Sequence, residues 1–76
     1  MVTIYTTSVC PYCHMVKEYL EKKDIKFKEV NVEEDEAGAR EMIQKSHQMG
    51  VPVLDINNTI IVGFDKAGID KALGLN

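Results

Sequence analysis

The sequence has 76 residues, of which 45% are hydrophobic and 28% charged, with twelve acidic against nine basic side chains and a formal net charge of −3. That length accommodates one small domain over residues 1–76, with one core and room for one site. The balance of interspersed charges argues against a disordered or fibrous chain, and the lack of a Lys/Arg cluster or of a basic stripe threaded with aromatics argues against a nucleic-acid face.

Met1-Val2-Thr3-Ile4 enters an apolar alternation without a basic n-region, an h-region or a small-residue cleavage site. No stretch approaches about 18 consecutive apolar residues. The expectation is a cytoplasmic protein with no membrane partner.

In chain order, Val2 to Thr6 is short, β-branched and aromatic, and ends in Thr7-Ser8, which predicts a strand running into a turn. Pro11 suits a first helical turn. From Tyr12 to Lys23, Met15, Val16, Tyr19 and Leu20 recur at three-to-four spacing opposite Lys17, Glu18, Glu21 and Lys22, the pattern of an amphipathic helix. Phe27 to Val32 predicts a second strand, with Val30 and Val32 on one face. Glu33 to Asp35 would open a helix running to about Gln48, because an acidic start complements the helix dipole.

Val53 to Ile56, Asn57-Asn58 and Thr59 to Val62 predict a hairpin with a two-residue turn, since asparagine tolerates positive φ. A last helix from about Lys66 to Leu73 would stop before Gly74. The order β-α-β-α-β-β-α implies an α/β fold: a right-handed crossover joining parallel strands, then an antiparallel hairpin, in a four-stranded mixed sheet with helices on both faces. Met42, Ile43, Leu54 and Ile61 are expected in the core, and the Glu33 to Glu36 run is expected to be a solvated helix start.

The two cysteines lie three apart in Cys10-Pro11-Tyr12-Cys13-His14. A bond closing so short a loop contributes little through chain entropy, which points to reactivity over stapling. Three chemistries compete for the motif: a redox dithiol, part of a zinc site or of an iron–sulfur cluster shared between two chains, or the Cys-x-x-Cys-His of haem attachment. Zinc needs two further ligands, and His14 sits about 100° round the helix from Cys13, badly placed to share a metal with it. Haem needs His14 on the iron, a second axial ligand such as Met42 or Met49, and an export route. His14 is expected to be a solvent-facing helix residue, and no metal is expected.

A dithiol fits the strand-to-helix junction on physical grounds. The free N–H groups and positive dipole end of the helix point at the Cys10 sulfur and favour its thiolate. Cys13, one turn on and tilted back towards the N-terminus, can reach it. Cys10 should be the more exposed sulfur, and so the attacking one, with Cys13 resolving. A stabilised thiolate gains little attack speed, because nucleophilicity falls as acidity rises, but it leaves a mixed disulfide readily.

On these residues the sequence resembles the glutaredoxins from Val2 to about Leu75. Cys10-Pro11-Tyr12-Cys13 after a strand is similar to that family's dithiol motif, and Gly50-Val51-Pro52 lies where the family carries Thr-Val-Pro. The resemblance implies a thioredoxin fold and thiol–disulfide oxidoreductase activity with no tightly bound cofactor. It also implies a cis Pro52 and a Val51 whose N–H and C=O pair with the peptide-like backbone of a bound thiol.

Gly63-Phe64-Asp65 resembles the segment whose amides and acidic side chain bind the γ-glutamyl end of glutathione, and Tyr12 would pack beside the bound thiol. The implied partners of this expected monomer are glutathione, as co-substrate, and disulfide-containing proteins. Without the resemblance, Pro52 reads equally as a strand-edge proline and Asp65 as a helix cap.

Three positions depart from the family pattern. Thr7 stands where many relatives have a Lys or Arg that supports the thiolate and a glutathione carboxylate. Gly50 replaces Thr, and Val62-Gly63-Phe64 has one glycine where glutathione-binding members commonly have two. The single Gly-Phe resembles glutaredoxin-like electron donors of ribonucleotide reductase, which take electrons from thioredoxin reductase. The resemblance thus leaves two reductants open.

Overall fold

The computed structural model describes residues 1–74; Leu75 and Asn76, the end of the expected 1–76 domain, lie outside the described residues. The elements are β1 (Val2–Thr6), α1 (Pro11–Lys22), β2 (Lys28–Asn31), α2 (Glu36–Ser46), β3 (Val53–Ile56), β4 (Thr59–Val62) and α3 (Lys66–Leu73). They form one four-stranded sheet in the order β2-β1-β3-β4. β1 runs parallel to β2 with Ile4 opposite Glu29, and antiparallel to β3 with Tyr5 opposite Val53; β3 pairs antiparallel with β4, Val53 opposite Val62.

The twofold alternation of the strands divides the apolar residues between two layers. Val2 and Ile4 of β1, Leu54 and Ile56 of β3 and Ile61 of β4 meet Val16 and Leu20 of α1 and Ile69 of α3. On the other face Tyr5 and Val53 meet Met42 of α2, with Val30, Val32 and Ile60 packed around them. Helices therefore cover both faces, as expected. Each fully buried Leu, Ile or Val contributes about 1.5–3 kcal/mol by leaving water, so the central strands β1 and β3 carry much of the stability. Asn57 and Asn58 both adopt left-handed φ, 50° and 74°, the pair a two-residue hairpin turn requires.

Some expectations need correction. α2 does not open at Glu33. The Asn31 carbonyl accepts the amides of Glu34 (3.2 Å) and Asp35 (2.9 Å), and the Asn31 side chain accepts that of Glu33 (2.9 Å), so residues 32–34 form a turn. Asp35 then caps the helix by accepting the Gly38 amide at 2.9 Å. At the other end His47 turns left-handed (φ 59°), ending α2 at Ser46 and not near Gln48. Ile43 is 38% exposed, although Met42, Leu54 and Ile61 are buried as expected.

The α2 face carries one polar cluster. Tyr5 Oη donates to Glu41 (2.6 Å), and Lys45 Nζ donates to Tyr5 Oη (3.1 Å), Glu41 (3.1 Å) and Asp55 (2.6 Å). Burial and the bond to Glu41 push the Tyr5 hydroxyl up, and Asp55 foremost raises Lys45. Glu41 is held below the usual carboxylate range, first by the Tyr5 hydroxyl and then by Lys45. Because its folded value is the lower one, Glu41 contributes stability that is present above its unfolded value of about 4.3 and is lost as pH falls through the folded value.

Lys45 has the opposite sign: its contribution is present below about 10.4 and is lost as pH rises through its higher folded value. Glu41 is more than half exposed, so its share is at most about 1 kcal/mol. Glu41→Gln is expected to narrow the gap between urea midpoints measured at neutral and at strongly acidic pH; an unchanged gap would remove Glu41 from the acid response.

Candidate redox site at the end of strand β1

β1 ends at Thr6, whose buried hydroxyl donates to Glu29 of β2 at 2.8 Å; Glu29 also accepts from Lys17 of α1 at 3.0 Å. Lys17 foremost, and then Thr6, hold the Glu29 carboxyl below its ordinary range. This ties strand, helix and neighbouring strand together just behind the loop that follows. In that loop the Ser8 amide donates to Glu33 Oε1 (2.6 Å), Asn31 Nδ2 donates to Ser8 Oγ (3.2 Å), and Thr7 Oγ1 donates to the Val9 carbonyl (3.3 Å).

Cys10 is the N-cap of α1, with extended backbone (φ −151°, ψ 95°) and Pro11 following at the first helical position. Its Sγ accepts the Cys13 amide at 3.1 Å, taking the place that a Ser or Asp oxygen usually fills at a helix start. Cys10 and Cys13 are joined as a disulfide, with their Cα atoms 5.2 Å apart. Cys13 is 2% exposed, buried against the helix, whereas Cys10 is half-buried at the rim. A sulfur that already accepts a main-chain amide at a positive dipole end is well placed to hold negative charge once the bond is opened.

The registers Tyr5 to Val53 and Val53 to Val62 bring the end of β1, the start of β3 and the end of β4 to one end of the sheet. The Val51–Pro52 peptide there is cis, as the resemblance implied, and Pro52 is buried. The Pro52 carbonyl accepts the Gly63 amide at 2.8 Å, linking the two segments. Neither the amide nor the carbonyl of Val51 has a hydrogen-bond partner among the described residues. Gly63 has φ 81° with open space where a Cβ would stand, so its backbone, and not crowding, calls for glycine.

Phe64 turns towards α1, its ring edge-on to Tyr19 with centroids 6.0 Å apart. Asp65 caps α3, accepting the Gly68 amide at 3.1 Å, and remains exposed. Tyr12, 61% exposed, projects between the two cysteines in sequence.

His14 is exposed and lies 3.8 Å from Glu18 on the same helix. Among the described residues, no three His, Cys, Asp or Glu side chains gather in a way that could hold a metal ion, and no helix is long and apolar enough to cross a membrane. Sequence reasoning missed Asn31 and Glu33, which hold the loop before Cys10. No local signal marked them, since their partner Ser8 is more than twenty residues away in the chain.

A family model described as Glutaredoxin matches residues 2–61. The chain is 51% identical over 73 residues to a glutaredoxin-like 8.6 kDa protein in a rubredoxin operon of Clostridium pasteurianum, covering 96% of this chain and 97% of that one. It is 39% identical to Glutaredoxin 3 of Escherichia coli K12, with 95% of each chain covered. To the glutaredoxin-like protein NrdH of Lactococcus lactis subsp. cremoris it is 32% identical, covering 93% of this chain and 97% of the relative. Among solved structures, a thioredoxin-like protein superposes with a TM-score of 0.92 over 99% of this chain and 96% of its own at 23% identity, which establishes the thioredoxin fold. The glutaredoxin of Methanosarcina mazei Go1 superposes with a TM-score of 0.85 at 29% identity, covering 96% of this chain and 77% of that one.

Proposed function

The chain belongs to the glutaredoxin family and is a glutaredoxin-like thiol oxidoreductase with a Cys10–Cys13 pair, and from that premise we propose that it reduces glutathione mixed disulfides and protein disulfides. In the proposed cycle the Cys10 thiolate attacks the glutathionyl sulfur of a mixed disulfide; a Cys10–glutathione disulfide forms, and the protein thiolate leaves and takes up a proton. A second glutathione thiolate then attacks that disulfide, releasing glutathione disulfide and restoring the Cys10 thiolate. On a protein disulfide, Cys10 instead attacks one of the two sulfurs, forming a mixed disulfide while the other sulfur leaves as a thiolate and takes up a proton. Cys13, losing its proton, then attacks Cys10 Sγ, closes the intramolecular disulfide and expels the second substrate thiolate. Each route moves two electrons, and in the second, two glutathione thiols reopen the Cys10–Cys13 disulfide and leave as glutathione disulfide.

The observation that carries this reading is the asymmetry of the pair: Cys10 sits at the rim with the Cys13 amide on its sulfur, and Cys13 is buried behind it. In the same reading the free amide and carbonyl of Val51, beside cis Pro52, pair with the peptide backbone of glutathione. The Gly63 and Phe64 main chain and the exposed Asp65 carboxylate face its γ-glutamyl end, and Tyr12 flanks its sulfur. Glutathione acts as co-substrate, no tightly bound cofactor is involved, and a reducing, cytoplasmic compartment suits the chemistry.

A second reading is electron donation to ribonucleotide reductase with thioredoxin reductase as the source. It is favoured by the absence of a cation at Thr7, by the commitment of Phe64 to Tyr19, and by the relative named NrdH. Parallel assays decide between them. Turnover with glutathione and glutathione reductase supports the first reading; turnover with thioredoxin reductase alone overturns it.

Thr7→Lys is expected to move the thiolate absorbance titration of Cys10 to lower pH and to reduce the KM for glutathione by about threefold, the scale of one exposed ion pair. Titration and KM that both stay unchanged would rule out position 7 as the place where the missing cation matters.

A further inference from the structure

The segment that leads from α2 into β3 is organised by one side chain. Gln48 folds back on the main chain two residues ahead: its Oε1 accepts the Gly50 amide at 2.6 Å and its Nε2 donates to the Gly50 carbonyl at 3.0 Å. Nε2 also donates to Ser46 Oγ at 3.2 Å, and Ser46 Oγ in turn lies 2.7 Å from the Met42 carbonyl in the last turn of α2. A carboxamide has two N–H donors and one carbonyl oxygen, and all three groups are engaged. The carboxamide therefore couples the end of α2 to Gly50 as a single unit.

Gly50 is matched to this arrangement. A Cβ there would stand 2.8 Å from Gln48 Oε1, closer than real Cβ contacts allow, so a side chain at position 50 would push the carboxamide oxygen a few tenths of an ångström from its place. Gly50 does not have the left-handed φ that would itself call for glycine. Its lack of a side chain leaves Gln48 free to hold the position described. The consequence falls on the next residue. With both main-chain groups of Gly50 occupied, with Pro52 lacking an N–H and with the Pro52 carbonyl given to Gly63, Val51 holds the free main-chain donor and acceptor of residues 50–52.

We propose that Gln48 is a positioning residue that fixes the Val51 peptide for substrate pairing and restricts an incoming extended backbone to one register. The chemical class it selects is a disulfide that carries peptide groups beside the sulfur, as opposed to a small alkyl disulfide. This rests on the reading that Val51 pairs with the backbone of a bound thiol. Gln48 touches no reacting atom; it acts through Gly50 on Val51.

The test compares the reduced protein's rate constants for a glutathionylated peptide and for 2-hydroxyethyl disulfide, which has no peptide group, in wild type, Gln48→Ala, Gly50→Ala and the double variant. The ratio of the two rate constants is expected to fall about three- to tenfold in Gln48→Ala, the effect of one to two ordinary hydrogen bonds. Gly50→Ala should lower the ratio by a smaller factor, by pushing the carboxamide oxygen off its place. The double variant should be no worse than Gln48→Ala alone, because both changes act on one device.

A ratio unaffected by Gln48→Ala, or losses that multiply in the double variant, would overturn the role of Gln48. A wild-type protein without preference for the glutathionylated peptide would instead overturn the glutathione reading on which the role rests.

Discussion

Replacing Cys10 by Ser is expected to lower reduction of both glutathione mixed disulfides and protein disulfides by on the order of a thousandfold or more, the scale of losing a covalent nucleophile. Cys13→Ser is expected to spare the first reaction and remove the second. The distinction follows from geometry. Cys10 is the rim sulfur and accepts the Cys13 amide, whereas Cys13 is buried and can reach only its partner. Mixed-disulfide reduction needs one attacking sulfur and a second molecule of glutathione; closing an intramolecular disulfide needs both cysteines. Parallel turnover assays on the two variants check this, and comparable activity of Cys10→Ser and wild type would refute the assignment.

The second large effect concerns the scaffold. Leu54→Ala is expected to cost about 3 kcal/mol, because Leu54 is fully buried in central strand β3, in the cluster with Val16 and Leu20 of α1 and Ile69 of α3, and truncation leaves a cavity there. In a domain this small, that corresponds to a fall of roughly 12–24 °C in Tm. Ile43→Ala, on the solvent side of α2, should cost no more than about 1 kcal/mol, since Ile43 is already exposed. Thermal unfolding of the two variants measures the contrast. Equal losses would mean that the core does not lie between the sheet and its α1–α3 face as described.

That contrast also marks where sequence reasoning reached and where it stopped. The twofold alternation of β1, the helical spacing of Val16 and Leu20 and the paired asparagines of the hairpin are local signals, and each element formed where its signal lay. Cys10 at the N-cap and the burial of Cys13 were legible for the same reason, since a strand end followed by Pro11 leaves little choice. The start of α2 was not legible. Glu33, Glu34 and Asp35 are equally good first-turn residues, and what separates them is the turn that Asn31 holds through its carbonyl and side chain, together with the Asp35 carboxylate on the Gly38 amide. Ile43 beside Met42 carries no periodic signal strong enough to say which of two adjacent apolar residues faces the sheet.

Around the redox pair, the elements were readable and their supports were not. Glu33 reaches the Ser8 amide and Gln48 clamps Gly50 through contacts that no spacing rule announces. The resemblance pointed to Gly50 as a departure; the structure places the Gln48 carboxamide against the side of Gly50 where a Cβ would stand. Phe64 belongs to the same group. The sequence placed it in a ligand-binding segment, and the fold directs its ring to Tyr19, whose hydroxyl is itself bonded to Asp70 of α3.

The most direct test of the central claim is a trapping experiment. Reduced Cys13→Ser protein is mixed with glutathione disulfide, and the intact mass and the modified peptide are determined. The account predicts one glutathionyl group per chain, bound to Cys10, that is released by added glutathione. A protein that stays unmodified, or one modified so that added glutathione cannot release the group, would contradict it.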